Sequence, residues 1–302
     1  MIVRGHGPAG NADTLAEACP YAQCVARTIG GDLDAAGIVI GTTCDQMRRA
    51  VEDGAAAAKR PVCIMHVPAT WQTGTARSLY RAELERLSQF LMRLGGAAPT
   101  QAGLQSAMQS ADTGRSRLRV AREGMAPRAF AAALHSFFQT TTVDELPRTA
   151  HMAGVPVAVV GGPLLDAQYC LWDMIEASGG FVALDGTENG ERTLPAPFDI
   201  RRMADDAVAE LVRAYFDTIP DVFRRPDTLL HSWLGDVVAR RGIRGIVWVR
   251  HTWCDHWHAV MRRVKEEQGV PLLDLELGDS GFASDARTKS RIQAFLESLR
   301  GV

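Results

Sequence analysis

Short apolar runs alternate with longer amphipathic stretches along the whole chain. In the first half, GIVIGTT (37–43) and PVCIMHV (61–67) read as buried strands, each bounded by glycine or proline. From Thr75 to Leu94, the residues Leu79, Leu84, Leu87, Leu91 and Leu94 recur near a 3.6-residue period, which predicts an amphipathic helix. Gly95-Gly96 ends it. LQSAMQSADTGRSRLRVARE (104–123) and RAFAAALHSFFQT (128–140) read as two further helices. The second half opens with the strand and glycine turn VPVAVVGGPLL, followed by the helix DAQYCLWDMIEASGG and the strand FVALDG. This is a βαβ unit, and such crossovers imply a parallel sheet. GIRGIVWVRHTWCDHW gives another strand with a polar tip, VPLLDLELGD a last strand, and ARTKSRIQAFLESLR a last amphipathic helix. The fold class expected is therefore α/β. The segment Thr140 to Arg148, with Pro147, separates two domains, 1–145 (with a helical segment) and 146–302.

The length of 302 residues fits two domains at roughly 150 residues each. Apolar residues make up 46% and charged residues 23%, ordinary for a globular protein. A formal net charge of -2 gives no reason to expect nucleic acid or an anionic membrane as partner. No apolar run approaches the ~20 residues of a membrane helix, and MIVRGHGPAG lacks the apolar core of a signal peptide. A cytoplasmic location is expected. In a reducing cytoplasm the six cysteines (19, 24, 44, 63, 170 and 254) do not read as a disulfide framework. No CxxC pair is present, so any shared thiol site must be assembled from distant parts of the chain.

Two cysteines stand out. Cys44 and Cys254 both lie just past an apolar strand and both precede an aspartate, Asp45 and Asp255. The carboxyl ends of parallel strands are where α/β folds bind ligands. Cys19 precedes Pro20 in EACPYAQC, a helix start, where the helix dipole favours a thiolate. Cys24 is a lesser alternative to it. Cys63, inside a strand, and Cys170, inside a helix beside Trp172, read as small buried hydrophobes.

A competing centre is HTWCDHWH, where His251, Cys254, His256 and His258 offer zinc-type ligands. The following HAVMRRVKEEQG is helical, however, and positions two apart diverge on a helix. VVGGPLL is not a GxGxxG phosphate loop, and neither a GxxxxGK[ST] loop nor a GxSxG elbow occurs.

The segments EACPYAQ, GIVIGTTCDQMRR, LYRAELERLSQFLMRLGG, VPVAVVGGPLLDAQYCLWDMIEASGGFVALD, GIVWVRHTWCDHW, GVPLLDLELGD and RIQAFLESL, in this order, resemble the 2-hydroxyacyl-CoA dehydratase D-component family. That family also includes subunits of ATP-dependent benzoyl-CoA reductases. The resemblance spans nearly the whole chain. It implies two flavodoxin-like (Rossmann-like) domains with a helical insertion and a [4Fe-4S] cluster in the inter-domain cleft. The cluster ligands carry over to Cys19, Cys44 and Cys254, with one iron left open. The implied activity is ketyl-radical chemistry on an acyl-CoA thioester, either dehydration or reduction, with one electron delivered by a separate ATP-hydrolysing iron–sulfur activator. A related D-component subunit is the expected partner in a heterodimer.

Family members usually carry a helical segment ahead of the region matching MIVRGHGP, which implies a chain lacking some substrate contacts, or the partner subunit. The alternatives are a non-catalytic electron-relay or scaffold subunit of such a complex, and a CoA-independent iron–sulfur reductase. The resemblance places no general acid or base; His6, Thr43 and His251 are pocket candidates by proximity to the motifs.

Overall fold

The computed structural model describes residues 18–143, 146, 152–278 and 286–301. In chain order the main elements are α1 (Pro20–Gly30), β1 (Ile38–Gly41), α2 (Asp45–Ala57), β2 (Val62–Met65), α3 (Gly74–Arg93), α4 (Gln101–Ala121) and α5 (Pro127–Thr140). They continue with β3 (Val155–Gly161), α6 (Cys170–Ala177), β4 (Gly180–Gly186), α7 (Ile200–Asp205), α8 (Ala207–Leu211), α9 (Thr228–Arg240), β5 (Gly245–His251), α10 (Asp255–Glu267), β6 (Leu272–Leu277) and α11 (Ala286–Arg300). The fold is α/β with two parallel sheets. Among the described residues, no helix is long and apolar enough to cross a membrane.

The chain divides into two compact units. One comprises Thr113–Leu194 and Thr228 onward; the other comprises the described residues through Asp112 together with Pro195–Asp227. The boundary expected after residue 145 lies outside the described residues. The described changes of unit fall at 112/113, 194/195 and 227/228.

The first unit contains a four-stranded parallel sheet in the order β4-β3-β5-β6. Its central strands β3 and β5 are near-continuous apolar runs because helices cover both of their faces. Val157, Val159, Val247 and Val249 on one face pack against Leu171 and Ile175 of α6 and Ile292 and Leu296 of α11. Each such side chain contributes about 1.5–3 kcal/mol by leaving water. On the other face, Trp248 meets Trp257 of α10 edge to face, with ring centroids 5.2 Å apart. At the end of β3 a Cβ on Gly161 would lie 1.8 Å from the Val249 carbonyl oxygen, so only glycine lets the strands close there.

The second unit holds a two-stranded parallel sheet, with Ile38 opposite Val62 and Gly41 opposite Met65. The helices α1 and α2 pack together through Ala22, Ala26 and Ala50. Further along, Tyr80 of α3 stacks at 4.7 Å on Phe216, which belongs to a π-helical turn, Val212–Asp217. The start of α4 packs through Met108 on Met203 and Ala207 of α7 and α8.

The stretch DAQYCLWDMIEASGG, expected as one helix, forms a 3-10 turn, Asp166–Tyr169, and then α6. The Gln168 carboxamide accepts from the Leu165 backbone N–H at 2.9 Å and anchors that tighter first turn.

Candidate functional site

All three cysteines singled out by pattern occupy the same structural position, the N-cap of a helix. Cys44 follows β1 and caps α2, where its Sγ accepts from the Met47 backbone N–H at 3.4 Å. Cys254 follows β5 and caps α10, its own N–H bonded to the His251 carbonyl at 3.1 Å. Cys19 caps α1, whose first residue is Pro20, and is 9% exposed. Its backbone N–H donates to Oε1 of Gln46 at 3.2 Å, which ties the start of α1 to the start of α2. At a cap, backbone N–H groups and the positive end of the helix dipole face the side chain, the setting that favours thiolate over thiol.

The remaining cysteines differ. Cys63 is buried in the middle of β2, and Cys170 opens α6 packed against the core. Cys24 is half-buried within α1, and burial pushes its thiol upward against the opposing influence of Arg27 and Thr28. No disulfide joins any of the six. Among the described residues, no group of three or more His, Cys, Asp or Glu side chains is gathered as a ready-made metal site.

In the four-stranded unit the chain runs from β3 to β4 on one side and then crosses to β5 on the other. The carboxyl ends of β3 and β5 therefore flank the topological switch point, where open α/β sheets bind ligands. Cys254 lies there. So does His251, the last residue of β5, whose Nε2 is 2.7 Å from the Pro163 carbonyl. A carbonyl only accepts, so that nitrogen carries the proton. Between them sits Trp253, 57% exposed and held at φ 67, a left-handed conformation that costs a bulky residue energy.

The loop after β4 supports this end of the sheet. Glu188 accepts from Trp257 Nε1 at 3.0 Å, and Asn189 Oδ1 accepts from the Leu164 backbone N–H at 2.7 Å. Asp185 anchors the loop, its Oδ1 accepting from both the N–H and the hydroxyl of Thr187. A Cβ on Gly190 would lie 2.2 Å from that same oxygen, so the loop packs directly on the carboxyl group. Beneath it, Glu191 is clamped between Arg122 and Arg241, at 3.0 and 2.7 Å.

The zinc-type cluster does not assemble as one face. His256 and His258 lie two positions apart on α10, about 200° around the helix axis.

In the two-stranded unit, the carboxyl end of the sheet carries Thr42, Thr43 and Cys44. Thr42 Oγ1 lies 3.2 Å from His66 Nδ1. Thr43 lines a cavity of about 30 Å³ together with Val67, Phe223, Asp221 and Arg224. Nothing in the apolar periodicity marks Arg224 or Asp221, because they lie in an irregular segment; they are legible only once the chain is folded. His6 lies outside the described residues.

These features define a parallel α/β protein with three cap-position thiols, two of them at the carboxyl ends of its sheets. The family model for the 2-hydroxyglutaryl-CoA dehydratase D-component matches residues 5–299, and the chain belongs to that family. It is thus a component of a 2-hydroxyacyl-CoA dehydratase-type system, a subunit of lyase type. A search of curated proteins gave no match.

Proposed function

We propose that this chain is the [4Fe-4S] subunit of a 2-hydroxyacyl-CoA dehydratase, with Cys19, Cys44 and Cys254 as the cluster ligands. The observation that carries the reading is the shared cap position of those three thiols, against the strand, helix and mid-helix settings of the other three. Thiolate ligands must be deprotonated, and helix N-termini are where a protein stabilises them. A donor set of three thiolates suits an iron–sulfur cluster. Bound there, the cluster supplies low-potential one-electron chemistry and an iron free of protein thiolate.

The chain's own residues have three tasks in this reading. The Met47 N–H bonded to Cys44 Sγ spreads the negative charge of a thiolate and tunes its donor strength. The Gln46 bond to the Cys19 backbone fixes one ligand-bearing cap against the other. In the other unit, His251 and Pro163 hold the carboxyl ends of β5 and β3 together, while the Glu188–Trp257 bond fixes the first turn of α10 behind Cys254. Trp253 is the exposed indole beside that ligand, placed to shield it from water.

A related D-component subunit and an ATP-hydrolysing activator complete the proposed system. The test is turnover of a 2-hydroxyacyl-CoA by the reconstituted components under anaerobic conditions, followed by chromatography of the CoA esters. The 2-enoyl-CoA product is expected only when this chain is present, and not with Cys44→Ser. Undiminished product formation without the chain would refute the reading.

A further inference from the structure

The cavity beside Thr43 is built around a buried cation. Arg224 is only 7% exposed, and its guanidinium lies 4.4 Å over the Phe216 ring. Among the described residues it has one hydrogen-bond acceptor, the Pro68 carbonyl at 3.2 Å, for its five N–H donors. Burial pushes its pKa down from the usual guanidinium value, opposed by the charge of Asp221. The segment carrying it is fixed to the loop after β2: the Arg225 N–H donates to the Ala69 carbonyl at 2.9 Å, and Trp71 Nε1 donates to the Pro226 carbonyl at 2.8 Å. The guanidinium is thereby held at the same end of the sheet as Cys44, the neighbour of Thr43.

The chemistry of the lining selects a ligand. Arg224 offers donors and Asp221 offers an acceptor, and their charges balance. A free carboxylate would bring an uncompensated negative charge, whereas a neutral group with one acceptor oxygen and one hydroxyl satisfies both walls. The volume of about 30 Å³ holds roughly two water-sized groups. Val67 and Phe223 close the rest with apolar surface.

We propose that this cavity reads the 2-hydroxyl and carbonyl oxygens of a hydroxyacyl thioester, with Arg224 donating to the carbonyl oxygen and Asp221 accepting from the hydroxyl. Arg224 and Asp221 are then specificity-determining residues for the acyl group. The inference rests on the acyl-CoA reading above and adds to it the side chains that recognise the substrate.

The experiment is titration calorimetry of the full chain, purified anaerobically, with lactyl-CoA, propionyl-CoA and CoA. Loss of a hydrogen bond to a charged acceptor predicts roughly tenfold tighter binding of lactyl-CoA than of propionyl-CoA by the wild type. Arg224→Met, which removes the donor to the carbonyl oxygen that both thioesters carry, weakens both roughly tenfold and leaves CoA binding unchanged, and Arg224→Lys loses only part of that affinity. Asp221→Asn, which retains an oxygen for the Phe223 N–H, abolishes the preference for lactyl-CoA and carries the test from the opposite wall should the methionine variant fail to fold. A preference for lactyl-CoA that survives Asp221→Asn, thioester affinities unchanged by Arg224→Met, or thioesters bound by the wild type with no preference, overturns the inference while the acyl-CoA reading stands. Failure of the wild type to bind CoA or either thioester overturns both.

Discussion

Replacing Asp185 with asparagine removes a carboxyl group whose pKa burial raises to about 6 against an ordinary 3.8. Desolvation is the main cause, Glu191 adds to it, and the Thr187 bonds and Arg122 oppose it. A carboxyl raised in the folded state is protonated there while the unfolded chain has already ionised. Stability is therefore lost as pH rises from about 4 to about 6, and the loss is complete above that. The gap between 3.8 and about 6 amounts to about 3 kcal/mol, at about 1.4 kcal/mol for each tenfold change in proton affinity. Asparagine keeps an oxygen for Thr187 and carries no charge. The stability difference between variant and wild type should therefore shift by about 3 kcal/mol in favour of the variant between pH 4 and pH 7. At roughly 2–4 °C per kcal/mol, this corresponds to a relative change of about 6–12 °C in melting temperature. Thermal melts of both proteins across that range measure it. Parallel pH profiles would refute the reasoning, because they would mean that Asp185 ionises in the folded chain as it does in water.

Three further outcomes are expected. Cys44→Ser and Cys254→Ser should each remove most of the bound iron, while Cys63→Ser leaves it in place; equal loss in all three would sink the ligand assignment. Glu191→Gln leaves Arg122 and Arg241 without their buried counter-charge and should destabilise by about 3–5 kcal/mol in urea titrations. Burial opposes the ionised form of Glu191, but Arg241 and Arg122 outweigh it and hold its pKa below the usual value. Their contribution is thus present at neutral pH and lost as pH falls below the ordinary glutamate range, and the variant should lack this acid dependence. Gly161→Ala forces a methyl into the Val249 carbonyl and should lower the melting temperature sharply, whereas alanine at the open Gly242 position meets no neighbour and is strained only by its φ of +58.

Much of this architecture was legible in the residues themselves. β3 and β5 announce themselves as uninterrupted apolar runs because both of their faces are covered, and α3 and α11 because only one stripe of each packs inward. The helix start at Cys19-Pro20 was readable from the proline, whose fixed φ suits the first helical turn. The segment from Thr187 to Arg241 gave little away. Its short helices and π-helical turn take their stability from packing against α3 and α4, and no local period encodes that. The same holds for Arg224 and Asp185, whose importance comes from burial, which the fold confers. The two halves of the sequence also gave no sign that Pro195–Asp227 joins the unit formed by the earlier residues.

The central claim is that the cap-position thiols hold an iron–sulfur cluster. The most direct measurement is iron and acid-labile sulfide per chain on anaerobically purified protein, read together with its visible absorption. About four of each per chain are expected, with a broad brown absorbance that bleaches on reduction. Zinc in place of iron, or protein purified without metal or labile sulfide, would contradict it.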